Sequence, residues 1–128
     1  MEITDSKNFY TLKFDKERNI CYETPVGFWS KEDYMRYHGD YTNKISKALN
    51  GKPWAKQIDL RNYKVSNITD EIQMHADWME KNKVTTIAVV VSSAIAKMQM
   101  NRAGDGKFEQ QAFTDEKEAN EWLRSKGF

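Results

Sequence analysis

The fold of this chain is decided by residues Trp54 to Ser93, WAKQIDLRNYKVSNITDEIQMHADWMEKNKVTTIAVVVSS. They read in order as a strand ending at Leu60, a helix continuing through Trp78, and a second strand from Val84 to Val91. The second strand is β-branched and almost continuously apolar, which is typical of a strand covered on both faces in a parallel sheet. Two parallel strands joined by a crossover helix need helices packed over them, and the rest of the chain must supply these.

Upstream, two short runs of alternating apolar and polar residues flank a polar turn. The first extends from Phe9 to Phe14 and the second from Ile20 to Thr24, with Asp15-Lys16-Glu17-Arg18-Asn19 between them. Alternation around a short turn predicts an antiparallel β-hairpin. Residues 1–8 are polar and are interpreted as a flexible N-terminus, which leaves a single domain over residues 9–128.

Three further helices are predicted around the sheet. Ser30 is a predicted N-cap for the first, Ser92-Ser93 for the next and Thr114-Asp115 for the last. Phe108 to Phe113 alternates as a final strand between the last two. We therefore predict an α/β domain in which an N-terminal β-hairpin feeds a mainly parallel sheet of about five strands, flanked by four helices.

Composition excludes several classes of function. The 128 residues carry 20 basic and 19 acidic side chains, a formal net charge of +1, which gives no general attraction to nucleic acid. The longest apolar run is far shorter than the ~20 residues that span a bilayer, so no membrane insertion is expected. A single cysteine, Cys21, and an acidic start without a signal-peptide core favour a cytoplasmic protein. No residues have the spacing of a metal site, and no cofactor is predicted.

Several segments, in their order along the chain, resemble the SpoIIAA-like family. They are Phe14 to Ile20 in the hairpin, Gly27 before the first helix, Ile58 to Arg61 at the end of the first crossover strand, and Phe113 to Leu123. This family shares its fold with STAS domains, which are anti-sigma-factor antagonists, and more distantly with CRAL-TRIO lipid-binding domains. The resemblance covers nearly the whole chain. It implies a SpoIIAA/STAS-like fold and a binding or regulatory style of function, since most members of the family are uncharacterised.

The resemblance also raises the question of a phosphorylation site at Ser66. In STAS antagonists a serine at the start of the helix after the Asp-bearing strand is phosphorylated, and this breaks partner binding. Ser66 lies near the matching place. The small residues that surround the STAS serine are absent, because Arg61-Asn62-Tyr63-Lys64-Val65 stand before it. These surroundings favour Ser66 as a plain cap or loop residue.

Polar residues follow both crossover strands, at the edge where ligands of open α/β sheets usually bind. Asp59 and Arg61 are two residues apart and are predicted to pair. The pair either grips an anion or polar head group, or it pins the following loop. Ser92 and Ser93 offer hydroxyls and backbone N–H groups at a helix start, which suits an anion, although simple capping is favoured.

Aromatic residues concentrate around the first helix. Phe28 and Trp29 are predicted to lie in the loop before it, and Tyr34, Tyr37 and Tyr41 repeat along it at helical spacing. Such a stripe either packs in the core or covers an apolar ligand or a partner surface.

The two histidines have simple interpretations. His38 lies among the tyrosines, where it is either a partly buried ring bonded to a neighbour or a general base in an aromatic pocket. His75 follows Glu71 by one helical turn and is predicted to pair with it or with water.

Three classes of function compete. The favoured one is a non-catalytic binding or regulatory domain that docks a protein partner or forms a homodimer; a phospho-regulated STAS-type switch is an alternative form of it. The second is a carrier of a small apolar or amphipathic ligand between the first helix and the sheet, as the CRAL-TRIO resemblance suggests. A cavity lined by Tyr34, Tyr37, Tyr41 and Met98 would favour this carrier. An enzyme is least favoured, because no acid, base and nucleophile converge in a recognisable spacing.

Overall fold

The computed structural model describes residues 1–65, 67–102 and 106–128, the side chains of residues 99 and 102 excepted. Within these ranges lie eight strands and four α-helices. The strands are β1 Glu2–Thr4, β2 Tyr10–Asp15, β3 Ile20–Pro25, β4 Gly27–Trp29, β5 Trp54–Asp59, β6 Tyr63–Val65, β7 Val84–Val90 and β8 Glu109–Phe113. The helices are α1 Lys31–Asn43, α2 Thr69–Lys81, α3 Ala94–Arg102 and α4 Glu116–Ser125.

The main sheet has the strand order β1-β2-β3-β5-β7-β8. The β1, β2 and β3 neighbours are antiparallel, whereas β3–β5, β5–β7 and β7–β8 are parallel. Strand β7 lies between two parallel partners, and every residue in it except Thr85 is buried. The predicted architecture of hairpin, mainly parallel sheet and four helices is therefore confirmed, with six strands in place of about five.

The additional strand comes from the N-terminal residues. The interpretation of residues 1–8 as flexible is corrected here, because Glu2–Thr4 pairs with β2 and buries Ile3. Asp5, which follows the strand, is buried and accepts two hydrogen bonds from the Arg36 guanidinium of α1, at 2.5 and 2.8 Å. A three-residue edge strand carries too short an alternation to be seen in sequence, and its anchor lies far away along the chain.

Helix α1 begins at the predicted cap. The Ser30 hydroxyl accepts from the Asp33 backbone N–H, and the Asp33 side chain accepts from the Ser30 backbone N–H, a reciprocal capping box. The tyrosine stripe of this helix is buried in the core cluster between α1 and the sheet. The helix ends at Asn43, and a short 3₁₀ turn, Ile45–Ala48, takes the chain on towards β5.

A second, two-stranded sheet replaces two predicted loops. Strand β4 pairs in parallel with β6, with Trp29 opposite Val65. Gly27 enters β4 with a φ of +82°, a conformation that favours glycine, and its N–H donates to the Asn62 carbonyl. The alternation of side chains then buries Trp29 and leaves Phe28 65% exposed.

Helices cover both faces of the main sheet. The larger core cluster joins one face to α1 and α2, and the smaller one joins the other face to Ala119 and Leu123 of α4. No helix within the described ranges has the length and apolar character needed to cross a bilayer.

Candidate functional site

A cavity of about 270 Å³ lies between α1 and the carboxyl ends of β3 and β5. Trp29 and Tyr63 of the small sheet close one side, and Tyr34 and Tyr37 of α1 close another. The remaining wall is largely aliphatic, with contributions from Pro25, Ile58, Leu60, Val65, Ile72 and Met100. A cavity in this position matches the edge at which open α/β sheets bind ligands.

The rings around the cavity support one another. Trp29 packs edge-on against Tyr63 with ring centroids 4.8 Å apart, and lies 5.3 Å from Tyr37. Tyr34 and Tyr37 are 5.2 Å apart. Tilted and edge-to-face pairs at these separations are favourable, so the wall is held in place by its own packing.

Among the described residues that line the cavity, Glu23 is the one with a charged side chain. It lies near the end of β3 and is 97% buried. Its Oε2 accepts from the hydroxyls of Tyr37, at 2.7 Å, and Tyr41. Its Oε1 is 2.9 Å from the same Tyr37 hydroxyl. Burial, and next the nearby Glu23 charge, raises the pKa of Tyr37 well above its usual value, so this hydroxyl stays a donor.

Lys56 of β5 neutralises this carboxylate. Its Nζ lies 2.7 Å from Glu23 Oε2 and its side chain is fully buried. The ammonium also lies 4.0 Å from the centroid of the Tyr41 ring, a cation–π contact. A buried ion pair needs further hydrogen bonds and contacts to offset the desolvation of its charges, and this pair has them.

A chain of hydrogen bonds continues from Lys56 towards the surface. His75 Nε2 lies 2.8 Å from Lys56 Nζ, and His75 Nδ1 lies 2.9 Å from His38 Nδ1. An ammonium only donates, so Nε2 of His75 accepts, and its ring proton is on Nδ1 and points to His38. The prediction that His75 pairs with Glu71 or water is therefore wrong, because α2 turns this ring inward.

Both imidazoles are held neutral. Burial, reinforced by the positive charge of Lys56, lowers the pKa of His75 well below its usual value. The same two causes lower the pKa of His38, which is half-buried. Within the described residues no third histidine, cysteine, aspartate or glutamate joins them in a cluster able to hold a metal ion.

Cys21 lies beneath this network. The Tyr41 hydroxyl is 3.2 Å from its Sγ, and the thiol is fully buried. Burial, and next the charge of Glu23, raises the pKa of Cys21 to about 12. The thiol is therefore a packed structural group.

The structure brings only some of the sequence-predicted residues together. Trp29, Tyr34 and Tyr37 line the cavity, and Tyr41 supports its polar end from below. Phe28 lies outside, on the surface beside Gly27. Met98, expected in the cavity wall, is 54% exposed, and Met100 takes that place because α3 turns the latter inward.

The predicted rim residues lie apart from the cavity. Arg61 pairs with Asp59, as predicted, through Nε at 2.9 Å and Nη2 at 2.8 Å, and it also reaches Glu116 of α4 at 2.6 Å. The hydrogen bond from Arg61 lowers the pKa of Asp59. Arg61 therefore links the loop after β5 to α4, and the hydrogen bonds of the Asp59–Arg61 pair are made within the protein.

The three serines predicted as candidate site residues differ in their surroundings. Ser93 Oγ accepts from the Ala96 backbone N–H at 3.1 Å, which is the capping role. Ser92 is exposed. Ser66, the candidate phosphorylation site, lies outside the described residues.

Sequence reasoning missed Glu23, Lys56 and His75 as site residues. A usable signal was present in β5, since Lys56 stands in a strand whose position between two parallel partners demands burial. A buried lysine requires an acidic partner. Glu23 is that acidic partner. Cys21 lies opposite Lys56 in the register of β3 and β5, and Glu23 is the next residue after Cys21 on the same face of β3.

The fold and the cavity define an α/β domain of SpoIIAA-like architecture with a largely apolar, partly open cavity. The same fold occurs in a solved structure of an uncharacterised protein of the DUF3478 family from Shewanella loihica PV-4. The likeness has a TM-score of 0.66 at 17% sequence identity and covers 89% of this chain and 93% of that one. It shows the fold alone, and it confirms the SpoIIAA-like resemblance at that level. No family model matches the chain, and no curated protein matches it.

Proposed function

We propose that this protein is a binding domain that carries a small, largely apolar ligand in the cavity between α1 and the sheet. The observation that carries the proposal is the cavity itself, about 270 Å³ and walled almost wholly by aromatic and aliphatic side chains. An apolar cavity of ~150 Å³ takes benzene. This one has room for a body about the size of two fused rings.

The cavity is partly open to solvent, which gives a ligand a route of entry. Ile72 of α2 belongs to its wall and is 42% exposed, so it stands between the cavity and solvent. Met100 of α3 is half-buried on the same wall. A long unbranched side chain next to an exposed one gives an adaptable edge through which a ligand can pass.

Naphthalene titrated into the protein, followed by two-dimensional NMR, tests the proposal. Shifts are expected at residues of the cavity wall, with saturation. Ile72→Trp should abolish binding by filling the entrance. The matched control is Met74→Trp, on the same helix and 37% exposed but on a groove that does not open into the cavity. Absence of binding to the wild-type chain, or equal loss in both variants, would contradict the proposal.

Docking of a protein partner or a second copy is the second candidate, and α3 supports it. Ile95 is 71% exposed and Met98 54% exposed, and large exposed apolar side chains on one helix favour an interface. Sedimentation of the wild type and of an Ile95→Lys/Met98→Lys variant tests self-association. A concentration-dependent dimer that the variant loses is the expected result, and a wild type that stays monomeric at all concentrations excludes the homodimer.

A further inference from the structure

The polar groups at one end of the cavity distinguish between chemical classes of ligand. This inference rests on the proposed function and goes beyond it. Four residues of the wall carry side-chain oxygens, namely Glu23, Tyr34, Tyr37 and Tyr63, and the other lining side chains carry none. A ligand that only filled space would need none of them.

Two of these hydroxyls make no hydrogen bond within the part of the chain that the structure describes. Tyr34 is 92% buried, and neither its hydroxyl nor that of Tyr63 has a hydrogen-bond partner among the described side chains and backbone. Among the described residues no fully buried side-chain nitrogen or oxygen lacks a hydrogen-bond partner, so these two hydroxyls are accessible to water and are not sealed in the core. Both tyrosines line the cavity, so a polar atom of a bound ligand can replace water at their hydroxyls.

Glu23, Tyr34 and Tyr63 line the same cavity, and the rings of Tyr34 and Tyr63 both pack against Trp29, with centroids 6.1 and 4.8 Å away. Burial, and next the negative charge of Glu23, raises the pKa of both Tyr34 and Tyr63, and Tyr63 adds to the effect on Tyr34. Glu23 Oε1 accepts only the longer of the two Tyr37 contacts within the described structure. A carboxylate oxygen has about two lone-pair sites, so Oε1 retains capacity for one more donor.

The charge balance argues against an ionic ligand. The charge of Glu23 is already neutralised by Lys56, which is fully buried behind it. A ligand anion would be placed beside a carboxylate, and the described wall offers it no cation. A ligand cation would add an uncompensated charge to a buried neutral pair, and its desolvation would oppose binding.

We infer that the cavity selects an uncharged molecule bearing a hydroxyl group, an alcohol or a phenol, whose O–H donates to Glu23 Oε1 and whose oxygen accepts from Tyr34 or Tyr63. A hydroxyl is the smallest neutral group that both donates and accepts. It therefore meets the carboxylate and the two phenols together, while the apolar body of the ligand fills the aliphatic part of the cavity.

Four ligands with the same body test this at pH 7: naphthalene, 2-naphthol, 2-naphthoate and 2-naphthylmethylammonium. Calorimetric titration should show 2-naphthol binding at least about tenfold more tightly than each of the others, since one well-placed hydrogen bond is worth about 1 kcal/mol or more. The Tyr34→Phe/Tyr63→Phe double variant should lose most of that preference for 2-naphthol over naphthalene. It removes two hydroxyls that make no hydrogen bond within the described residues, so it should fold normally.

Tyr22→Phe is the matched control, because the Tyr22 hydroxyl lies elsewhere and bonds Arg18 and Asn120. It should keep the preference for 2-naphthol. Naphthalene binding as tightly as 2-naphthol, or either ion binding more tightly, would overturn the inference while leaving the proposed function intact. If none of the four ligands binds, the proposed function fails and the inference falls with it.

Discussion

The ammonium of Lys56 lies 2.7 Å from Oε2 of Glu23, and both side chains are buried between the sheet and α1. The two residues belong to neighbouring parallel strands whose register places them on one face. The pair supports the polar end of the cavity, because the hydroxyls of Tyr37 and Tyr41 converge on the same carboxylate.

Removal of one partner of this pair should be far more damaging than removal of both. Lys56→Met leaves Glu23 buried without its cation, and we expect a loss of about 3–5 kcal/mol in the free energy of unfolding. The Glu23→Gln/Lys56→Met double variant should recover much of this loss. Urea unfolding followed by circular dichroism measures the free energy of unfolding of the wild type and of both variants. The exposed Lys52→Met is the control and should stay within about 0.5 kcal/mol of wild type. A double variant no more stable than Lys56→Met would contradict the expectation.

His75 should make stability depend on pH just below neutrality. Its pKa is lowered in the folded protein, so the unfolded chain, with a pKa of about 6.5, takes up the proton first as pH falls. The contribution of His75 to the free energy of unfolding is therefore complete above about pH 6.5. It is lost as pH decreases, by up to about 1.4 kcal/mol per pH unit. Unfolding of wild type and His75→Gln at pH 7, 6 and 5 checks this. The variant should show the shallower dependence, and parallel curves would refute the account.

Cys21 should resist alkylation in the folded protein. With its pKa raised to about 12, its thiolate fraction at pH 8 is on the order of a thousandfold below that of an ordinary cysteine. Mass spectrometry after treatment with iodoacetamide should show no modification in buffer and complete modification in denaturant. Rapid modification without denaturant would show that the thiol is accessible.

Adjacent residues in β4 should differ sharply in their contribution to stability. Trp29 is 1% exposed and its Nε1 donates to the Val26 carbonyl, so Trp29→Ala should cost about 3–5 kcal/mol. Phe28→Ala, on the opposite face of the same strand, should change the free energy of unfolding by about 0.5 kcal/mol or less. Urea unfolding distinguishes the two, and similar losses would contradict the assigned orientation of β4.

Local patterns predicted the elements well. The hydroxyl cap at Ser30 and the tyrosine spacing after it predicted α1 because helix capping and periodicity depend on neighbours within a few residues. The N-terminal strand and the β4–β6 pair were missed, since three-residue strands carry too little alternation to be recognised. Their formation depends on partners elsewhere, such as Asn62 for Gly27.

What the sequence by itself determined is the buried parallel strand from Val84, the hairpin before it and the helices that cover them, because burial on both faces demands a continuous apolar run. Only the tertiary structure decided that Glu23, Lys56, His75 and His38 form one hydrogen-bonded chain, and that Tyr34 and Tyr63 face a common cavity. Strand register and the rotation of each helix about its axis determine these contacts, and both depend on the packing of the whole domain.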